Sequence, residues 1–172
     1  YGGLCSCPEV REKIIAAKTG CVERDGLPPA LRLLEDVARV GRICGAFPRL
    51  SNLAAKHPAL SRWIKKAAGI HEARTLPSFP DAPFFSWAAA KGLTRPRNER
   101  EDRVLFFAGC TGAYLFPRVP EAASAVLEKS GVEVWVPEQG CCGMPSLLEG
   151  DRDKTIAFVR RNLTFLADAV TE

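Results

Sequence analysis

Two short apolar runs, each ending in a glycine–cysteine turn, constrain this chain more than anything else in it. The first, Val104 to Phe107, leads through Ala108 into Gly109-Cys110; the second, Val132 to Val136, leads through Pro137 into Gly140-Cys141-Cys142-Gly143. Short apolar runs bounded by turn residues fit strands buried on both faces of a parallel sheet. Between them, Val119 or Pro120 to Ser130 carries Ala122, Ala123, Val126 and Leu127 at helical spacing, with a proline in the first turn and Gly131 past the end. Strand, helix, strand predicts a βαβ unit with parallel strands and a right-handed crossover. Asp151 to Val170 predicts a further helix, buried through Ile156, Val159, Leu163, Leu166 and Ala169, with another strand expected to follow.

If the strands are parallel neighbours, Cys110, Cys141 and Cys142 converge at one sheet edge. Thiolate is the soft ligand for zinc and for iron–sulfur clusters. Gly109, Gly140 and Gly143 let the backbone turn sharply there, and their N–H groups are placed to bond a bound ligand. No histidine lies nearby for a mixed zinc site, and three thiolates do not complete a tetrahedron. A further ligand is therefore expected from beyond residue 172 or from another chain. The cysteine total is seven, an odd number with two adjacent, which fits reduced metal-binding thiols and the cytosol better than a disulfide scaffold.

The remaining composition is that of an ordinary globular chain: 172 residues, 47% hydrophobic and 26% charged, enough for one core or two small ones. The net charge of +4 is mild, and the densest basic run, Arg95, Arg97, Arg100 and Arg103, is interrupted by Glu99, Glu101 and Asp102. That reads as a solvated linker and predicts no nucleic-acid partner. No apolar stretch approaches the ~20 residues of a membrane span. The sequence opens on Tyr1 and its helical pattern runs to the last residues, so it reads as part of a longer protein.

Upstream, Cys5-Ser6-Cys7-Pro8 leaves two readings open: the tail of a ferredoxin-type cluster motif, or an unrelated surface Cys-Pro. Helices are predicted over Glu9–Lys18, ended by Thr19-Gly20, over Ala30–Ile43, and over Ser51–Ala68 with a break near Pro58. Cys21 and Cys44 have no partner at ligand spacing and read as small buried hydrophobes. His57 and His71 stand alone and read as surface or capping residues. Prolines 77, 80 and 83 break the next segment into extended pieces, a tether anchored by Phe79, Phe84, Phe85 and Trp87. Gly92 to Asp102 is charged and is the expected domain boundary.

The residues FFAGC-T-G-A-Y at 106–114, Pro117, the segment VLEKSGVEVWVPEQ and the run GCCGMPSLLEGD at 140–151 resemble the cysteine-rich CCG domain. That family includes a subunit of heterodisulfide reductase, the iron–sulfur subunits of glycolate and lactate oxidases, and a subunit of anaerobic glycerol-3-phosphate dehydrogenase. Its pattern is one Cys, a gap, Cys-Cys-Gly, a similar gap, then Cys-x-x-Cys. Cys110 matches the first position, and Cys141, Cys142 and Gly143 match the second. The closing pair is expected beyond residue 172. More weakly, LSRWIKKAAGIHEARTLPSFPDAPFFSW at 60–87 resembles the linker preceding that domain, and Cys7-Pro8 sits where the tail of a ferredoxin domain would lie.

The resemblance implies an α/β fold: a βαβ-type CCG domain at 103–172, preceded by a mainly helical region with a ferredoxin-like tail at 1–48 and a helix plus proline-rich linker at 49–102. It implies a 4Fe–4S cluster on Cys110, Cys141 and Cys142, with Gly109 and Gly143 shaping the site and Cys7 a metal ligand upstream. The implied role is electron transfer in an oxidoreductase. A flavoprotein subunit or fused domain carrying FAD oxidises a hydroxy acid or glycerol 3-phosphate, and electrons pass to quinone or another carrier. The implied location is cytoplasmic, with peripheral attachment to the inner face of the cell membrane as a variant. No acid–base pair, phosphate-binding loop or nucleophile elbow is visible, so the chain is not expected to activate the organic substrate itself. Two rivals remain: a zinc-stabilised interaction module on the same cysteines, and a thiol–disulfide enzyme using Cys141 and Cys142.

Overall fold

The computed structural model of the chain describes residues 7–96 and 102–171. It is mostly helical with one small sheet. The order is α1 (Cys7–Asp25), α2 (Pro29–Glu35), α3 (Val37–Ala46), α4 (Pro48–Lys56), α5 (Pro58–Ala67) and α6 (Phe84–Ala90), then β1 (Arg103–Leu105), α7 (Gly109–Tyr114), α8 (Arg118–Lys129), β2 (Glu133–Trp135), α9 (Met144–Glu149) and α10 (Arg152–Thr171). Cys5 and the centre of the charged run at 97–101 lie outside the described residues.

β1 and β2 pair in parallel, with Arg103 opposite Glu133, Val104 opposite Val134 and Leu105 opposite Trp135. Their burial is unequal. β2 is buried throughout, whereas Val104 in β1 is exposed, so the expectation of two fully buried strands holds for β2 alone. The cause is what lies beside each. The far edge of β2 is closed by the segment after α6, where the Val136 N–H donates to the Leu93 carbonyl at 2.7 Å and Trp135 Nε1 donates to the Thr94 carbonyl at 3.2 Å. Among the described residues no third strand flanks β1.

The core gathers Phe84, Ala88, Leu93, Ala113, Val134 and Val136. Phe84 lies 5.5 Å from Trp87 and 6.0 Å from Phe106, ring centre to ring centre, within the range where aromatic pairs attract. The segment read as an extended tether therefore holds a helix whose aromatic residues form part of the core. Three prolines precede that helix, and Pro83 supplies its extended N-cap. The local signal of the prolines masked the apolar pattern Phe84, Phe85, Ala88 just after them.

Several helices differ from their predicted bounds for local reasons. α1 runs through Gly20 and stops at Gly26, whose φ of 74° suits the end of a helix. The predicted helix over 30–43 divides at Asp36, whose side chain accepts from the Arg39 N–H at 3.2 Å and so starts α3. The helix expected from Ser51 starts at Pro48 and breaks at Pro58, as expected there, with His57 Nδ1 capping α5 through the Leu60 N–H at 3.4 Å. His71 accepts from the Ala73 N–H at 3.2 Å, also a local cap.

Two predicted stripes are rotated. In α8 the buried residues are Pro120 and Ser124, and Val126 is exposed. In α10 Ile156, Val159 and Leu163 are exposed, while Asn162 is buried and Thr155 and Phe158 are half-buried. The face of α10 that meets the protein is the one carrying a polar residue with backbone partners to satisfy, as the site geometry explains.

The N-terminal helices dock on the cysteine-bearing half. α1 and α2 pack on α9. Gly150 allows a close approach: a Cβ there would lie 2.6 Å from the Thr19 nitrogen. Lys18 Nζ bonds the Leu148 carbonyl at 2.9 Å and Glu149 Oε2 at 3.0 Å. Lys154 Nζ of α10 reaches Glu35 Oε2 of α2 at 3.1 Å, and Glu35 is only 1% exposed. Because the Lys18 pair is half open to water, Lys18→Ala is expected to cost about 0.2–1 kcal/mol in urea unfolding, within the range of solvated pairs.

Candidate functional site

Cys110 is the second residue of α7, just past the C-terminal end of β1, and Cys141 lies in the loop between β2 and α9. Parallel pairing brings both strand ends to the same side, and the two Sγ atoms are 3.6 Å apart. Both side chains are buried, Cys141 to 1% exposure. Cys142, the next residue, is exposed, yet near enough for its charge to act on Cys110. Among the described residues no group of three or more His, Cys, Asp or Glu side chains is disposed to hold a metal ion. Cys44 is half-buried and Cys21 is exposed, so the reading of Cys21 as a buried hydrophobe is corrected; α1 turns that position to solvent. Cys7 is the first residue of α1, and its side chain lies outside the described residues.

Two carboxamides hold the turns in place, and sequence reasoning singled out neither. Gln139 Oε1 accepts from the Ala108 N–H at 2.8 Å and the Gly109 N–H at 3.3 Å. Its Nε2 donates to the carbonyls of Phe106 at 3.0 Å and Pro137 at 3.2 Å. One side chain thus bridges the turn after β1 to the turn after β2. Asn162 of α10 works from the other side: Oδ1 accepts from the Gly140 N–H at 2.7 Å, and Nδ2 donates to the Cys141 carbonyl at 2.7 Å. Buried backbone groups need such partners where no ladder supplies them. A usable signal was present in the sequence, since Asn162 stands at i+4 from Phe158 and i+7 from Thr155 on one helical face.

Gly109 and Gly143 both adopt positive φ, 67° and 82°. At Gly143 space also matters, because a Cβ would lie 3.3 Å from the Thr155 carbonyl oxygen and 3.4 Å from Phe158 Cβ. Any other residue there would be strained twice over, by conformation and by contact with α10.

The thiols share a proton. The Cys141 S–H donates to the Cys110 thiolate, which pulls the Cys110 pKa from 9.0 down to about 7 against an opposing push from burial; Thr111 assists. Cys141 moves the other way, far up, because it holds that proton and is itself buried. A buried pair of this kind gives up one proton readily and the second with difficulty. Spectrophotometric titration of the thiolate should show one cysteine ionising near pH 7, and Cys141→Ala should move that step back up toward the ordinary thiol range. A small cavity of about 140 Å³ opens beside Cys110, lined in part by Arg42, Tyr114, Gln139 and Arg161. The donor set suits a thiophilic metal or cluster: two adjacent sulfurs with one already acidic, a third on the next residue, and the turns that carry them held by two amides.

The CCG family, described as a cysteine-rich domain, matches residues 104–171. The chain is 26% identical over 149 residues to a subunit of the anaerobic glycerol-3-phosphate dehydrogenase of Escherichia coli K12, an alignment covering 85% of this chain and 37% of that protein. It is 38% identical over 69 residues to an uncharacterized iron-sulfur protein of Methanocaldococcus jannaschii, covering 40% of this chain and 14% of that one. The chain thus spans 37% or less of the length of these curated relatives. No solved structure matches it.

Proposed function

We propose that this chain, whose residues 104–171 match the CCG cysteine-rich domain, is part of an iron–sulfur electron-transfer subunit of a flavin-linked dehydrogenase. Cys110, Cys141 and Cys142 are its cluster ligands in this reading, Gly109 and Gly143 shape the turns that carry them, and the β1–α8–β2 segment is the βαβ unit of the domain. The observation that supports it best is that Cys110 and Cys141, both buried, meet at the same ends of two parallel strands. When bound, a 4Fe–4S cluster accepts and returns single electrons. This chain's residues hold it: the thiolates ligate, Gln139 and Asn162 fix the turns, and the buried wall of α7 and α10 keeps water from Cys141. Cys7, beside Pro8, is a ligand of a separate upstream cluster.

The proposed division is a ferredoxin-like tail at 1–48, a connecting segment at 49–102 and the CCG unit at 103–172, with α6 and Leu93 lending the last part of its core. The partner is a flavoprotein with FAD that oxidises glycerol 3-phosphate or a hydroxy acid, the acceptor is quinone or another carrier, and the location is cytoplasmic, with peripheral attachment to the inner face of the cell membrane as a variant. The glycerol 3-phosphate dehydrogenase relative supports the choice of partner.

A second reading, a zinc-stabilised structural module, has one observation in its favour. Two thiolates on a single tetrahedral ion with bonds of about 2.3 Å stand roughly 3.8 Å apart, close to the 3.6 Å observed. Metal analysis of the natural protein, purified without oxygen, separates the two. Iron with acid-labile sulfide, lost in Cys141→Ser, is the expected result; zinc without sulfide would replace the first reading with the second.

A further inference from the structure

Between Asp36 and Glu72 the sequence has seven lysines and arginines and not one aspartate or glutamate. Part of that charge gathers round one cavity. The segment after α5 is tied back to the helices at two points. Lys65 Nζ donates to the Glu72 carbonyl at 2.7 Å, and Asn52 exchanges two hydrogen bonds of 2.8 Å with the Phe79 backbone. Between these ties lies a cavity of about 650 Å³, within the roughly 300–1,000 Å³ of small-molecule sites. Lys56 comes to it from α4, Arg62 and Lys65 from α5, and Arg74 from the segment opposite. No carboxylate lines it, and among the described residues none of the four cations is in an ion pair. A second observation is independent of charge. Ser61, one turn before Lys65, lines the cavity and is only 7% exposed, and its hydroxyl has no hydrogen-bond partner among the described residues. A helical hydroxyl can turn back to the carbonyl four residues earlier, as Thr155 and Thr164 do in α10. Ser61 makes no such bond, so its donor is left for the cavity.

We propose that this cavity binds a small soluble molecule carrying a diphosphate group. Four like charges round one space repel one another, and a multiply charged anion between them turns that repulsion into attraction. Arg62 and Arg74 offer planar forks that match phosphate oxygens, and the lysines add point charges. Arg62 Nε leans on the Pro58 carbonyl at 3.4 Å, which leaves its terminal nitrogens for the ligand. Ser61 donates the hydrogen bond it otherwise lacks, and Thr75 and Ser78 bring two more hydroxyls. A monophosphate or a single carboxylate would leave much of the positive charge unmatched; a diphosphate spans it. Ala55, Leu76 and Pro77 complete the wall and receive the organic part. None of the residues lining the cavity belongs to the cysteine-bearing turns. The inference stands apart from the cluster assignment and survives if the metal proves to be zinc.

The test is calorimetric titration of the full-length protein with inorganic pyrophosphate, and with glycerol 3-phosphate as a monoester of lower charge. Pyrophosphate is expected to bind about tenfold or more tighter than the monoester and to raise the midpoint of thermal unfolding. Arg74→Gln should weaken pyrophosphate binding about fivefold or more. Ser61→Ala is the more telling variant. It removes a hydroxyl that bonds nothing in the free protein, so the unfolding midpoint without ligand should not fall, while the affinity for pyrophosphate drops about fivefold. Lys66→Gln lies on the same helix but outside the cavity and measures the effect of general charge; it should change the affinity less than about twofold. No binding of pyrophosphate, equal binding of the monoester, an affinity unchanged in Ser61→Ala, or a loss in Lys66→Gln as large as that in Arg74→Gln would overturn the proposal.

Discussion

Asn162→Leu is expected to lower the stability of this chain by about 2–6 kcal/mol, because it strands two buried backbone groups, each costing roughly 1–3 kcal/mol when left unpaired. The groups are the Gly140 N–H and the Cys141 carbonyl, both held at 2.7 Å. A leucine of similar size fills the space and satisfies neither. Asn162→Asp separates the two bonds: its carboxylate still accepts from Gly140, but it faces the Cys141 carbonyl with no proton to give. Urea unfolding of both variants checks the prediction. If Asn162→Leu unfolds within about 1 kcal/mol of the native protein, water has replaced the amide and the loop is not held as described. A second readout is specific to the site. Loosening the loop parts Cys141 from Cys110, so the thiolate step near pH 7 should move up in Asn162→Leu even where the fold persists.

Gly41→Val should have the next largest effect, about 2–3 kcal/mol, by overpacking. A Cβ on residue 41 would stand 2.5 Å from both Cβ and Cγ of Tyr114. Those atoms are the root of the tyrosine, so no rotation of its far end relieves the contact. Either α3 moves out or α7 moves away, and α7 carries Cys110 four residues before Tyr114. Valine offsets little of this by helix propensity. Thermal unfolding measures the cost, and the titration of Cys110 reports which helix moved: an unchanged pKa means that α3 gave way.

Much of this was legible in the sequence, and the part that was not has a common cause. The parallel pairing of β1 and β2 and the meeting of Cys110 with Cys141 follow from two apolar runs with a helix between them, a pattern that depends on local order. The orientation of α10 did not follow. Ile156, Val159 and Leu163 make the more apolar stripe, yet the helix turns Thr155, Phe158 and Asn162 inward. Periodicity counts apolar residues and gives no credit to a carboxamide that satisfies two backbone groups in a loop about 20 residues away. Gly41 reads in the sequence as a weak point in a helix, when its missing side chain is what admits Tyr114. The core helix α6 was hidden behind prolines that end just where it begins. In each case the deciding contact is tertiary, and local periodicity does not weigh it.

Gln139 ties four backbone positions across two loops through one short side chain, and this has a bearing on how such chains can vary. Its reach fixes the number of residues from the end of β2 to Cys141 and from the end of β1 to Cys110, because a single insertion in either turn would carry the amide past its partners. The helix joining the strands is under no such restraint. Related sequences should therefore gain or lose residues within α8 and its flanks, where the interval between the cysteines stretches, and keep the two short approaches to the thiols at constant length.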